Sequence, residues 1–144
     1  MTIYTIGFTK KSAEQFFGLL ERAGVRRVID VRLRNNSQLA GFAKKGDLAY
    51  LLCRLAGIEY VHELLLAPTP EILDGYRKRR LSWDVYEERF LELMKARQVE
   101  QRLSPEVLAD ACLLCSEARP ERCHRRLVAE YLQSHWRGLE IVHL

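Results

Sequence analysis

The sequence predicts an α/β fold: one domain, residues 1–144, on an about five-stranded, mostly parallel sheet flanked by helices. Three observations predict it. Short β-branched or apolar runs at residues 2–6, 25–31, 58–61, 111–114 and 139–142 alternate with stretches of helical period. The first two runs are joined by a helix long enough for a parallel βαβ crossover. At 144 residues the chain is one domain by length and can bury a core without metal or disulfide staples.

Each element has its own signal. The run TIYTI at residues 2–6 is β-branched and aromatic, and closes at Gly7. Ser12 with Gln15 three residues on is a capping box; Phe16, Leu19, Leu20 and Ala23 give that helix its apolar face and Gly24 ends it. Residues 25–31 (VRRVIDV) form the second strand, and residues 38–46 (QLAGFAKKG) an irregular flap or connector. A helix over 47–56 turns Leu48, Leu51, Leu52 and Leu55 inward, with Cys53 as a small core or boundary residue and Gly57 as its stop. The third strand, IEYV at 58–61, ends at His62 and Glu63, and a connector comes next.

Thr69 and Pro70 then open a helix running to about residue 80, whose end carries Arg77, Lys78, Arg79 and Arg80. Cations suit a helix C-terminus, so this run reads first as a solvated end and only weakly as a nucleic-acid contact. Ser82 caps the next helix, to about residue 96, with Trp83, Tyr86, Phe90, Leu93 and Met94 as a core stripe. Ser104, Pro105 and Glu106 open a short helix before the buried strand at 111–114. Pro120 is placed at the first position of the succeeding helix, with Cys123, Leu127 and Tyr131 on an inward line. The last strand, 139–142, ends at His143.

Composition narrows the class more than the function. Apolar residues at 48% and charged residues at 29% are the balance of a soluble globular domain. Lys and Arg outnumber Asp and Glu by 23 to 19, a net charge of +4 that suits an anionic partner. No apolar run approaches the ~20 residues that span a bilayer, so no membrane partner is expected. The N-terminus lacks the pattern of a signal peptide, which makes the four cysteines thiols and places the chain in the cytoplasm.

The densest chemistry lies in residues 115–131, CSEARPERCHRRLVAEY, read as strand end, polar loop and helix. Such a turn aims free N–H groups and a helix dipole at one spot and favours an anion there. Gly7, Asp30, Arg32, His62, Cys115, Glu117 and His143 all come at or just past the end of a predicted strand. In a parallel sheet those positions share the carboxyl edge, where such folds bind ligands.

Zinc is not expected from the Cys112–Cys115 pair. Residues three apart on a strand point to opposite faces, and adjacent Cys123 and His124 are awkward joint ligands on a helix. A cysteine nucleophile at Cys115 has a helix N-terminus beside it and Arg119 or Arg125 for an anion. The loop nevertheless departs from that of cysteine phosphatases and rhodaneses: Glu121 occupies the sixth position after Cys115, Arg122 comes one later, and residues 116–122 contain no glycine. Acid/base chemistry would use Glu117 with His124, and Asp30 across the cleft.

CSEARPERCHRRLVAEYL resembles the Cys–Glu–Cys–His–Arg signature of the family catalogued as domain of unknown function 488. TIGFT at Thr5, DVR at Asp30, GIEYVHE at Gly57 and the closing IVHL resemble its other segments. The resemblance spans essentially the whole chain and implies a compact α/β fold but no particular reaction. The matching positions are Gly7, Asp30, Arg32, Cys115, Glu117, Cys123, His124, Arg125 and His143. Phe8 and Thr9 stand where histidine and serine are usual, and NNSQLAGF replaces a proline-containing loop. No histidine at position 8 and no rigid loop at 35–37 is therefore carried over.

The leading expectation is an enzyme acting on a phosphate-bearing substrate, a nucleotide or nucleic acid, with no cofactor or metal assigned. Cys115, Glu117, Asp30 and His124 form the catalytic set; Gly7, Arg32, Arg125 and His143 form the substrate-binding set. Glu117 acts as general base, Arg32 and Arg125 bind phosphate, and Cys115 is nucleophile or pocket wall. The alternatives are a non-catalytic nucleic-acid-binding module, and a redox or metal sensor working through the thiols. The binding module lacks support from the interleaved aromatic and basic residues of single-strand binders.

Overall fold

The computed structural model describes residues 1–36 and 41–144. Among these lie five strands, β1 (Thr2–Gly7), β2 (Arg27–Asp30), β3 (Glu59–His62), β4 (Ala111–Cys115) and β5 (Glu140–His143). They form one sheet in the order β3-β2-β4-β1-β5, every pair parallel. Flanking it are α1 (Ala13–Arg22), α2 (Lys45–Leu51), α3 (Pro70–Arg77), α4 (Trp83–Arg97), α5 (Val99–Arg102), α6 (Pro105–Leu108) and α7 (His124–His135). The fold is α/β, as the alternation of elements predicts. No described helix is long and apolar enough to cross a membrane.

The order of the strands explains the two cores. From β1 to β2 to β3 the chain moves one way along the sheet, and from β3 to β4 to β5 it moves back. Crossovers of one hand then put the first two connections on one face and the last two on the other. Phe16, Phe17 and Leu20 of α1 and Leu48 of α2 pack with Ile6, Val28, Cys112 and Leu114. Phe90 and Met94 of α4 and Leu127, Val128 and Leu132 of α7 pack with Ile3, Ile29, Leu113 and Cys115. The period of two along β4 sends Cys112 and Cys115 to opposite faces, as the strand reading expects.

Several caps fold as read. Ser12 Oγ accepts from the Gln15 N–H while the Gln15 side chain accepts from the Ser12 N–H. Thr69 and Ser82 accept from Ile72 and Val85, and Pro70 occupies the first turn of α3.

Other expectations are corrected. The helix over 47–56 begins at Lys45 and widens to a π-turn over Leu52–Ala56 before Gly57, at φ 64°, ends it. Within the wider turn Leu55 falls out of phase with Leu48 and is 58% exposed, while Cys53, about 100° round the helix from Leu52, is exposed rather than core. Helix α3 stops at Arg77, and Arg79 takes φ 58° in the turn beyond, so the basic run straddles the helix end. Helix α7 starts at His124, not at Pro120. Cys123 N–H closes a turn onto Pro120 O at 3.2 Å, and Cys123 itself is extended at φ −139°. The burial of Cys123, His124 and Arg125 against the sheet holds the helix start there. Residues 38–40 of the expected flap lie outside the described residues; Gly41–Ala43 is a 3-10 turn.

Candidate functional site

The carboxyl ends of β2 and β4, neighbours at the centre of the sheet, frame one cleft of about 70 Å³. Arg32 and Leu33 line it from the β2 side, Cys115, Ser116 and Glu117 from β4, and Arg122, Cys123 and His124 from the approach to α7. Tyr76 and Arg77 of α3 and Trp83 and Tyr86 of α4 close the remaining wall.

The floor is sulfur and imidazole. Cys115 is 6%, Cys123 3% and His124 6% exposed, and their three ligand-capable atoms lie within 4.8 Å of one another. His124 Nε2 is 2.6 Å from Val31 O, a carbonyl that can only accept. The ring therefore carries its proton on Nε2, and Cys115 Sγ sits beside the ring, 3.6 Å from Nδ1 and 4.0 Å from Nε2. Phe90 packs on the imidazole at 5.4 Å between centroids. The Cys123 thiol donates to Cys115 and holds the Cys115 thiol below its usual range, with the Ser116 N–H and the Arg125 charge helping against burial. Burial and the same bond push Cys123 well up. Cys112, fully buried on the other face, is pushed up by desolvation and takes no part.

Asp30 is fully buried and commits its carboxylate to Arg32. It accepts from the Arg32 main-chain N–H at 3.1 Å, from Nε at 2.9 Å and from Nη2 at 2.8 Å, and from Tyr60 Oη at 2.5 Å. Arg32 Nη2 also donates to Ala43 O, and the guanidinium lies 5.1 Å over the Phe8 ring. His62, at the end of β3, bonds Arg32 O through Nε2 at 2.7 Å. Arg32 is thus fixed from several sides, yet its Nη1 is buried without a partner among the described residues. A buried donor left open in a cleft wall is costly unless a ligand fills it.

Gly7, Arg125 and His143 stand behind the floor rather than in the cleft. Arg125 is 0% exposed; its Nη1 donates to the main-chain Glu117 O at 2.6 Å and its Nε reaches Thr5 Oγ1 at 3.4 Å. It has no carboxylate partner among the described residues, and its bond goes to the Glu117 backbone, not its side chain. Gly7 leaves room for this arrangement: a Cβ there would sit 1.6 Å from Glu117 O. His143 bonds Thr5 Oγ1 at 2.6 Å on the far flank of β1. The Glu117 side chain is exposed at the rim of the cleft.

The structure therefore gathers Arg32, Cys115, Glu117 and His124 around one cleft, with Asp30 buried behind Arg32, and puts Gly7 and Arg125 beneath its loop and His143 apart. It adds residues that the sequence reading assigns elsewhere. Trp83, Tyr86 and Phe90 stack in series, at 5.1 Å and 6.1 Å, leading from the mouth of the cleft to the His124 ring. Tyr76 packs on Trp83 at 5.6 Å, and Arg77 beside it is exposed. Interleaved aromatic and basic residues, not evident along the sequence, are present across residues 76–86, where the packing of α3 on α4 folds them into one wall. Arg34 joins this wall through Asp74 at 2.9 Å.

Comparison with curated proteins and with solved structures found no match. A family model does match residues 12–132 of the 144, from the α1 cap through most of α7. On that match the chain belongs to the family described as Domain of unknown function DUF488.

Proposed function

We propose that the protein is an enzyme acting on a phosphate-bearing substrate of the nucleotide or nucleic-acid class. The observation that carries the proposal is Arg32: a guanidinium locked by Asp30, with one buried nitrogen unsatisfied in a cleft that Arg77 and Arg122 also line. A planar cation with an open donor is suited to phosphate oxygen. The volume of about 70 Å³ supports a single phosphoryl group at the floor, roughly two waters' worth, rather than a whole nucleotide. The rest of the substrate then lies across the mouth, where Trp83 and Tyr76 offer ring faces for a base. Glu117, at the rim, takes a proton from the attacking water or hydroxyl.

Nucleoside phosphates and short labelled DNA and RNA strands test this reading. In a Trp136→Phe background Trp83 is the remaining indole, and its fluorescence should be quenched on binding, with affinity falling as salt rises. Arg122→Ala should weaken binding, and Glu117→Gln should abolish turnover at unchanged melting temperature. Turnover intact in Glu117→Gln together with binding intact in Arg122→Ala, or no response to any phosphate ligand, would overturn the proposal.

A further inference from the structure

We infer that Cys115, Cys123 and His124 form a binding site for a single divalent zinc-class ion, with a fourth coordination position open to the cleft. The three residues come from two elements, the end of β4 and the start of α7, and converge without any rearrangement of the backbone. Their ligand atoms lie within 4.8 Å of one another and all three residues are buried. Zn–S bonds of about 2.3 Å and a Zn–N bond of about 2.0–2.1 Å, set at the tetrahedral angle, put sulfur and nitrogen about 3.6 Å apart. Cys115 Sγ and His124 Nδ1 are 3.6 Å apart.

The surroundings fit the same ion. A histidine that ligates a metal donates its other ring N–H to a carbonyl or carboxylate, which fixes the ring and its tautomer. His124 has such a carbonyl in Val31 O, 2.6 Å from Nε2; Cys115 Sγ lies 3.6 Å from Nδ1 and 4.0 Å from Nε2, so a turn of the ring is needed to aim the Nδ1 lone pair at an ion shared with the sulfurs. Two thiolates and an imidazole are the donors that favour zinc over magnesium or calcium. Three protein ligands leave a position for water, the arrangement of catalytic rather than structural zinc. The same three residues line the cleft that holds Glu117 and Arg32, so that water would face both. Cys112 belongs to the other face, so this is not the Cys112–Cys115 pairing that strand geometry excludes. The ion site does not depend on what the cleft binds, and its test uses no substrate.

Cobalt(II) is the probe, added to the full chain after dialysis against a chelator. The expected result is one equivalent bound, with a near-ultraviolet thiolate-to-cobalt charge-transfer band and tetrahedral visible bands. Cys53→Ser should leave the spectrum intact, whereas Cys123→Ser and His124→Gln should each lose it. Because those two variants alter buried residues, a second measurement uses the unaltered protein. Zinc should protect Cys115 and Cys123 from iodoacetamide at least tenfold while the exposed Cys53 labels at the same rate with or without the ion. No charge-transfer band, or equal labelling of Cys115 and Cys123 with and without zinc, would overturn the inference. A cobalt spectrum with no response to nucleotides would keep the ion site and reject the phosphate substrate.

Discussion

Replacing Gly7 with alanine tests how the floor of the cleft is held. Gly7 sits at φ outside the left-handed region, so the substitution is a matter of space alone. The added Cβ would lie 1.6 Å from Glu117 O and 2.6 Å from Glu117 C. A carbon–oxygen contact of about 3.3 Å is the nearest comfortable one, so the carbonyl must retreat by about 1.7 Å. Both partners are backbone, and no rotamer change relieves the overlap. The same carbonyl accepts the 2.6 Å bond from Arg125 Nη1, and Arg125 Nη2 is already buried without a partner among the described residues. Retreat therefore strips a fully buried guanidinium of its shortest bond. Overpacking costs ~1–3 kcal/mol and a lost hydrogen bond to a charged group ~1.5–3 kcal/mol. Taking the two as overlapping, about 3 kcal/mol is expected, a large part of the ~5–15 kcal/mol that holds a domain. The melting temperature should fall by roughly 10 °C. Gly46→Ala is the control: nothing lies within 4 Å of its Cβ, and in the first turn of α2 it should gain ~0.5–1 kcal/mol. Gly7→Ala melting with the wild type would refute the claim that the 115–117 loop is seated on Gly7.

Two further perturbations separate structure from chemistry. Asp30→Asn removes the anion that holds a buried Arg32, at ~3–5 kcal/mol, so melting temperature and nucleotide affinity should fall together; wild-type melting with abolished turnover would instead place Asp30 in the reaction. His143 is held below its usual value near 6.5, chiefly by burial and then by the Arg125 charge. Between the folded pKa and about 6.5 the unfolded ring binds more protons than the folded one, so stability is lost as pH falls through that window and is flat above it. Urea midpoints on either side of about pH 6.5 should show the slope in wild type and less of it in His143→Gln; equal slopes would remove His143 as its source.

The features legible in sequence are those set by periodicity and capping. The alternation at residues 111–115 fixes which face each cysteine takes, because a strand has period two whatever surrounds it. Ser12, Thr69 and Ser82 cap helices through contacts three residues long, which tertiary packing leaves alone. The gathering of polar residues past strand ends comes from parallel topology, and brings Arg32, Cys115 and Glu117 to one cleft with Asp30 behind Arg32. Periodicity misplaces Leu55 because a single π-turn shifts the helical phase, and no residue type in LCRLA announces one. It also reads Trp83 as core, because its i+3 and i+7 partners Tyr86 and Phe90 are core; that Trp83 ends the stack at an open mouth depends on where α3 packs.

The largest gain over the sequence comes from one residue's backbone. On a continuous helix from Pro120, Cys123 and His124 would point about 100° apart, and two adjacent ligands for one ion would diverge. With Cys123 extended at φ −139° and ψ 138° and the helix beginning at His124, both side chains reach the same buried point beside Cys115. Pro120 still matters, because its carbonyl anchors the turn that delivers Cys123. The next residue, Arg125, then faces the opposite way, under Gly7 and the Glu117 carbonyl. The Cys–His–Arg triplet thus divides its labour: Cys123 and His124 build the floor, and Arg125 clamps the loop that carries Cys115 and Glu117 over it. A helix start displaced from Pro120 to His124 is the difference between two scattered ligands and a site.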